Sequence, residues 1–314
     1  MIRAHWLGLT LAAGIAASVP AGAQQPSRYT APRTEHGHPD FQGSWAMAFL
    51  TQLERPPGVD SLVVDAGHAK AVAAAIRANA PKVIDPDVQL DNLQELAKVK
   101  GQYRTSQIVD PPDGRMPFSK AGADLAAAVD RAFLEDYDHP EQRPLVERCL
   151  ETIGFAPIRT VPVQVPLQIV QTRDYVLVMF EDSVGLRLIH LKDQPPPESV
   201  RTVEGYSTGR WEGATLVVET THLRASYPAR DVVGRPLVLS PKTKITERFT
   251  RVSETELFYH YTVEDPDLYV RPWSGEFSMT KHDGPIFEYA CHEGNYSLPN
   301  ILRGGQAAAA KKKP

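Results

Sequence analysis

Residues 245–264 read ITERFTRVSETELFYHYTVE, and this stretch decides the fold class of the chain. Two runs rich in β-branched and aromatic residues, 245–252 and 257–264, flank the polar turn 253–255. Runs of this composition, separated by a short turn, are typical of a β-hairpin. The stretch therefore predicts two neighbouring antiparallel strands.

Similar strand-forming runs separated by turns occur on both sides of this hairpin. Further predicted strands cover residues 41–50, 167–172, 175–182, 186–192, 205–210, 215–221, 274–281 and 286–291. Connections at 173–174 and 211–213 have the length of antiparallel hairpin loops. Because closure removes sheet edges, this series predicts an antiparallel meander that forms a closed or nearly closed barrel. An open or orthogonal antiparallel sheet with helices on one side is the alternative.

Helical patterns are confined to the N-terminal half. They predict helices at 65–80, 91–100 and 119–135, the first of which is Ala-rich and begins with Asp65 as N-cap. Some strands are apolar on both faces, which fits a barrel partly covered by helices. The predicted fold class is mainly β with N-terminal helices (α+β). We expect one β-rich domain over residues 40–305, with a helical part at 60–140 and the meander at 161–296.

The two ends of the chain carry patterns of their own. Residues 1–23 combine a basic start, an apolar run shorter than the ~20 residues of a spanning helix, and a small-residue cleavage triplet. They predict a signal peptide cut after Ala23, and hence a periplasmic or extracellular protein without a membrane span; an uncleaved anchor is the alternative. Residues 24–39 are predicted to be a flexible leader and 306–314 a disordered tail.

The composition narrows the range of partners. The chain has 42% hydrophobic and 23% charged residues, and its net charge of −4 is spread without blocks. Nucleic acids and anionic membranes bind basic patches, so neither is expected as a partner. The sequence indicates no cofactor and leaves the oligomeric state unknown.

Cys149 and Cys291 are the two cysteines of the chain. In an oxidising compartment an even pair usually forms a disulfide. Closing the loop between them would stabilise the fold by roughly 4–5 kcal/mol through the unfolded state. Two free buried thiols are the alternative, and a metal site is disfavoured because neither cysteine has a second one at C-x-x-C spacing.

Several long motifs resemble a family of secreted, largely uncharacterised bacterial proteins. They read DFQGSW (40–45), LERP (53–56), IVDPPDGR (108–115), ERCL (147–150), GRWEGATLVVETT (209–221), TERF (246–249), DP (265–266), PW (272–273) and YACHEGN (289–295). The resemblance implies a secreted protein but no reaction, and it breaks at 190–197, where the family usually carries an Asp-Gly-Arg-Pro turn. The pattern Gly43-x-Trp45 is similar to the opening of lipocalin-like (calycin) barrels, which implies a tryptophan at the barrel floor.

Two common kinds of site are disfavoured. Residues 205–209 match the G-x-S-x-G of a nucleophile elbow around Ser207, but that motif needs a strand–turn–helix bend, and here another strand follows. A metal site would have to assemble from distant strands, because the histidines of the C-terminal half lie one per segment. These are His190, His222, His260, His282 and His292.

Charged residues inside otherwise apolar strands are the best site candidates, because a charge in a barrel must be paired or bind a ligand. Glu247, His260 and Glu264 are the candidate catalytic residues. If Glu247 and His260 share the interior face, the carboxylate should raise the pKa of the imidazole; Tyr259 and Tyr261 must then face the other way. Candidate ligand-binding residues are Glu181, Arg187, Arg248, Trp211, Trp273 and Glu293. The alternative is that these charges only pair with one another.

Two functional classes follow from these features. The favoured one is a secreted or periplasmic barrel that binds a small hydrophobic or aromatic molecule. The other is a cofactor-independent hydrolase, lyase or isomerase that uses a carboxylate–histidine pair. Whether the chain is an enzyme stays open, as does a structural role in the envelope.

Overall fold

The computed structural model describes residues 29–79, 95–135, 137, 139–143, 147–150, 155–160, 164–181, 186–224 and 236–311. The predicted signal peptide lies outside these residues. In chain order the elements are β1 (Gly43–Met47), β2 (Val63–Val64), α1 (Ala66–Asn79), β3 (Lys98–Val99), β4 (Gln102–Arg104), β5 (Ile108–Asp110), α2 (Lys120–Glu135), a 3-10 helix (Pro140–Gln142), β6 (Val165–Gln171), β7 (Tyr175–Phe180), β8 (Leu186–His190), β9 (Tyr206–Glu212), β10 (Thr215–Thr221), β11 (Lys244–Arg251), β12 (Glu256–Glu264), β13 (Trp273–Lys281) and α3 (Ser297–Lys311).

Nine of these strands form a closed β-barrel, which confirms the predicted fold class. β1 is followed around the barrel by β6 to β13 in sequence order. β1 then pairs with β13, with Trp45 opposite Lys281, and this pairing closes the ring. β5 pairs with the beginning of β13, and β2, β3 and β4 form a separate small sheet.

The predicted antiparallel meander is wrong at one place. β8 and β9 run parallel, with Ile189 opposite Ser207 and His190 opposite Thr208. The other neighbouring pairs of the barrel are antiparallel. The connection 191–205 explains the exception, because parallel neighbours need a crossover of about a dozen residues or more.

Alternate residues of the strands point into the barrel and form its core. On β12, Leu257, Tyr259, Tyr261 and Val263 are buried, whereas the residues between them are only partly buried. The ring of Tyr259 lies 4.9 Å from those of both Phe249 and Phe277, measured between centroids. This part of the interior is therefore packed with aromatic side chains.

Trp45 of the Gly43-x-Trp45 pattern is a core residue. Its side chain is almost completely buried, and its indole N–H donates to the carbonyl oxygen of Phe41 over 2.8 Å. The guanidinium carbon of Arg251 lies 5.5 Å from the ring centre, within reach of a cation–π contact.

The predicted helices are confirmed in part. α1 and α2 correspond to the predictions 65–80 and 119–135. The predicted helix 91–100 is wrong where it is described, because Lys98–Val99 is strand β3. It pairs with β4 through a turn at Lys100 and Gly101, both at positive φ. Strand pairing here overrides a weak helical propensity.

Three differences concern the ends of the domain. The predicted strand 286–291 is absent, because the edges of β13 are already occupied by β12 on one side and by β1 and β5 on the other. The predicted tail is wrong over residues 306–311, which continue α3 in an Ala-rich stretch. In the predicted leader, residues 29–39 form a turn in which Arg33 and Pro39 make an isolated antiparallel β-bridge.

The predicted disulfide joins Cys149 to Cys291, with the Cα atoms 5.7 Å apart. It links the segment before β6 to the segment after β13. No helix in the described part of the chain is both long and apolar enough to cross a membrane.

Candidate functional site

A buried ion pair lies inside the barrel, near the end at which β8, β9 and β11 begin. Arg187 of β8 is 4% exposed and Glu247 of β11 is 0% exposed. Both terminal nitrogens of the guanidinium donate to the carboxylate, with 2.8 Å between Nη1 and Oε1. Burial, the largest single influence, would lower the pKa of Arg187, but the charge and hydrogen bonds of Glu247, with smaller contributions from Tyr259 and Glu204, together raise the pKa, so the arginine stays charged.

Neutral groups complete the hydrogen bonding of this pair. Ser207 accepts from Nε and Nη2 of the guanidinium over 3.4 and 3.2 Å, and Thr220 accepts from Nη2 over 3.1 Å. Tyr259 donates to Glu247 Oε1 over 2.7 Å and accepts from the backbone N–H of Ile158 over 2.9 Å. Burial raises the pKa of Tyr259 well above its usual value, which keeps the phenol a donor.

A pocket of about 640 Å³ opens in the barrel wall beside this pair. It lies where the two parallel strands diverge. Only residues 189–190 of β8 are in register with β9, so residues 186–188 have no described strand on that side. Arg187 and Ser207 line the pocket, which therefore reaches the polar part of the barrel interior.

The segment 202–205 forms one wall of the pocket and is held against the end of β10. The backbone N–H of Arg224 donates to the carbonyl oxygen of Thr202 over 2.7 Å. Gly205 has a φ of +72°, and a Cβ on it would lie 2.5 Å from the carbonyl oxygen of Thr221. Glycine is therefore required where this segment enters β9.

The pocket lining combines apolar and polar side chains. Leu150 and Phe155 come from the region next to the disulfide, Leu188 from β8 and Val203 from the connection before β9. The polar or charged side chains of the lining are those of Arg148, Arg187, His190, Thr202, Glu204, Tyr206, Ser207 and Arg224. Apolar surface beside polar groups that can orient a ligand is typical of small-molecule sites.

Four polar groups in the lining have no hydrogen-bond partner among the residues that the structure describes. They are the carboxyl of Glu204, the guanidinium of Arg224, the hydroxyl of Tyr206 and Nε2 of His190. Arg148 also lines the pocket. Polar groups that line a pocket without partners of their own are available to orient a ligand.

Glu204 is half-buried in this pocket. Burial raises the pKa of its carboxyl, and the nearby charge of Arg187 opposes the rise. Because no described residue donates a hydrogen bond to it, the desolvation of this carboxyl is poorly compensated. A ligand that donates a hydrogen bond to Glu204 would remove part of that cost.

His190 is fixed in one orientation at the pocket. Its Nδ1 lies 2.9 Å from Oδ2 of Asp193. Its ring stacks on that of Tyr206, with centroids 4.4 Å apart and an interplanar angle of 18°, and meets the edge of Tyr175 at 5.4 Å. These contacts leave Nε2 as the ring nitrogen that is available to a ligand.

The predicted Glu247–His260 pair is wrong. The register places Glu247 opposite Tyr261 and Arg248 opposite His260, so the histidine lies on the outer face. Burial, the largest influence there, lowers the pKa of His260, which is the reverse of the predicted direction. A shift of one residue in register moves a side chain to the other face of the sheet. The prediction that Tyr259 faces away from His260 is confirmed.

Arg248 and Glu264 also lie on the outside of the barrel. Arg248 pairs with Glu212 over 2.8 Å, and Glu264 pairs with Lys244 over 2.9 Å. Their side chains are about 40% exposed. The structure does not bring these two predicted site residues to the pocket.

Neither predicted tryptophan lines the pocket. Trp211 packs against His38 and Phe41, with ring centroids 5.2 Å away in both cases. Trp273 is fully buried and meets the edge of Tyr261 at 5.8 Å. Both therefore contribute to aromatic packing.

Glu181 and Glu293 lie outside the pocket as well. The carboxylate of Glu181 accepts the backbone N–H of Phe287 over 3.0 Å, and Glu293 is exposed in the turn after Cys291. Of the predicted catalytic and ligand-binding residues, Arg187 lines the pocket and Glu247 is its direct partner.

Ser207 does not lie in a nucleophile elbow. β9 continues through a short hairpin into β10, and the Ser207 hydroxyl bonds Arg187 and Thr220. Within the described ranges, no group of three or more His, Cys, Asp or Glu side chains is placed to hold a metal ion.

Sequence reasoning missed Glu204, Tyr206 and Arg224. Polar residues in connections are common, so their identity alone carries no signal. The length of the connection 191–205 was the available clue, because it permits the parallel crossover that creates the pocket.

No protein-family model, curated protein or solved structure matches this chain. The resemblance to the secreted bacterial family and the looser likeness to lipocalin-like barrels therefore stay predictions.

Proposed function

We propose that this protein binds a small molecule with an apolar or aromatic body in the pocket between β8 and β9. The observation that carries the proposal is the pocket lining itself, in which apolar side chains lie beside four polar groups without described partners. A ligand that donates a hydrogen bond to Glu204 would offset the poorly compensated burial of that carboxyl. The volume of about 640 Å³ lies within the range of small-ligand pockets.

Aromatic residues in the lining favour a ligand with a flat ring. Tyr206 and His190 form a stacked pair there, and Phe155 adds a third ring. Aromatic groups pack well edge-on or offset against such rings. Arg224 would bind an acceptor or anionic group of the ligand, and Glu204 a donor.

We also propose that the protein acts in the periplasm or outside the cell. The signal-peptide pattern of residues 1–23 and the Cys149–Cys291 disulfide support this location. The intact mass of the exported protein tests it, and we expect a chain that begins at Gln24.

Titration with 8-anilinonaphthalene-1-sulfonate, a dye that fluoresces in apolar pockets, tests the binding function. Leu188→Trp introduces a large side chain into the lining. Leu186→Trp is the matched control, because Leu186 is exposed on the same face of β8 but does not line the pocket. We expect saturable one-to-one binding whose Kd rises about tenfold or more in Leu188→Trp, a loss of about 1.4 kcal/mol. Equal Kd values for the two variants would contradict the proposal.

A further inference from the structure

We propose that the same pocket hydrolyses small aryl esters, with the imidazole of His190 as the general base that activates water. This inference rests on the proposed binding function, because the ester must occupy the pocket before it reacts. It goes beyond binding in assigning a reaction and a catalytic residue to the site.

The hydrogen bond between Asp193 and His190 supports this role. The Asp193 carboxylate lies 2.9 Å from Nδ1 and accepts a hydrogen bond from Nδ1–H, so the basic lone pair is on Nε2. Nε2 has no partner among the residues that the structure covers, and His190 lines the pocket. An imidazole oriented by a carboxylate is a common arrangement for a general base.

Packing distinguishes this pair from an ordinary surface pair. The His190 side chain is 17% exposed and lies between the rings of Tyr206 and Tyr175. His68 and Asp65 make the same Nδ1-to-carboxylate contact at the same i,i+3 spacing, but the His68 side chain is 76% exposed. His68 does not line the pocket. Of these two pairs, the His190 pair combines restricted orientation with access to the pocket.

The hydrolysis uses water as its only co-reactant. Nε2 accepts a proton from water while the water oxygen bonds to the acyl carbon. The bond between that carbon and the aryl oxygen then breaks, its electron pair leaves with the aryloxide, and the proton on Nε2 passes to the leaving group or to solvent. The products are a carboxylic acid and a phenol. The guanidinium of Arg224 is the available group for the charge on the carbonyl oxygen.

Water is assigned as the nucleophile because the hydroxyl of Ser207, the serine in the pocket, is already engaged in hydrogen bonds. The Ser207 hydroxyl lies 2.8 Å from that of Thr220 and accepts from Arg187. In the register of β8 and β9, Ser207 is opposite Ile189 and points into the barrel, whereas His190 is on the outer face. His190 therefore does not activate Ser207.

Hydrolysis of p-nitrophenyl acetate by the full protein tests the inference. We expect His190→Gln to lower kcat/KM by about 10²–10⁴-fold, the usual contribution of a general base. Asp193 is a positioning residue, so Asp193→Asn should lower kcat with little change in KM, and Asp193→Glu should restore part of the rate. His68→Gln is the matched control and should leave the rate unchanged.

The outcomes separate catalysis from binding. A wild-type protein that hydrolyses the ester no faster than the pocket-filling variant Leu188→Trp, yet still binds the dye, overturns the catalytic role and leaves the binding function intact. An unchanged rate in both His190→Gln and Asp193→Asn overturns it too. Asp193 is exposed, so its variants keep the test valid even if His190→Gln disturbs packing.

Discussion

Two adjacent residues of β11, Glu247 and Arg248, show how burial changes the contribution of an ion pair to stability. Glu247 has its charge balanced by Arg187 inside the barrel, with a further hydrogen bond from Tyr259. Arg248 points to the outside and pairs with Glu212 among exposed side chains. The same type of contact therefore has a different energetic weight on each face.

We expect Glu247→Gln to destabilise the fold by about 3–5 kcal/mol, because it leaves the charge of Arg187 buried without its counter-ion. Arg248→Gln is the matched control one residue away, and it should cost less than about 1 kcal/mol. Denaturant unfolding of the two variants measures both values. Similar losses would contradict the register in which Glu247 faces the interior and Arg248 the outside.

Glu204 should make stability depend on pH. Its pKa in the folded protein is raised by burial, so the folded state holds the proton more tightly than the unfolded chain does. Stability then falls as pH rises from the unfolded pKa of about 4.5 through the folded value. We expect Glu204→Gln to raise Tm relative to wild type at neutral pH, and this gain should disappear in acid.

The control for that measurement is Glu293→Gln, which alters an exposed carboxylate outside the pocket. As a substitution on the surface, it should change the free energy of unfolding by less than about 0.5 kcal/mol. A Glu204→Gln variant with the same Tm difference at acid and neutral pH would show that this carboxyl is not desolvated.

The sequence predicts some features of these residues and not others. Alternation on β12 correctly separates Tyr259 from His260, because successive side chains of a strand face opposite ways. It does not say which set is inside, since both faces carry aromatic and polar residues. The partner of Glu247 on β8 is sixty positions away, and only the closed barrel brings the two together.

At the scale of elements, the short parallel pairing of β8 and β9 defines the pocket. β8 and β9 are paired only at Ile189 and His190, so the two strands are separated at residues 186–188 of β8. The segment before β9 fills only part of the space between them. Gly205 sets the path of that segment by bringing it close to Thr221.

Gly205→Ala should therefore destabilise the protein more than Gly213→Ala. Both glycines have positive φ, which costs an alanine about 1–2 kcal/mol. A Cβ on Gly213 meets open space, whereas one on Gly205 meets the backbone of β10. Thermal unfolding of the two variants compares them, and equal Tm values would contradict the close approach.

Elements with strong local signals are predictable from this sequence. The hairpin of β11 and β12 and the Ala-rich α1 lie within a residue or two of their expected bounds. The helix expected at 91–100 and the strand expected at 286–291 are not. Tertiary pairing decided both cases, since β3 had β4 as a partner and the last segment had no free edge on β13.

At the scale of the whole molecule, the disulfide closes the chain around the barrel. Cys149 and Cys291 are 142 residues apart in sequence. Replacing both with alanine should lower the free energy of unfolding by roughly 4–5 kcal/mol, because the unfolded chain regains the freedom of that loop. A reducing agent should weaken the wild type to the same level and leave the double variant unchanged. Equal stability of the oxidised wild type and the variant would argue against this role.

A small molecule held in the pocket between β8 and β9 should stay bound through gentle purification. Native mass spectrometry of the protein, purified without denaturation from the organism that makes it, detects such a complex. We expect a complex heavier than the bare chain by one small molecule, retained in Leu186→Trp and lost in Leu188→Trp. A wild-type protein with the mass of the bare chain, or the same bound molecule in Leu188→Trp, would contradict it.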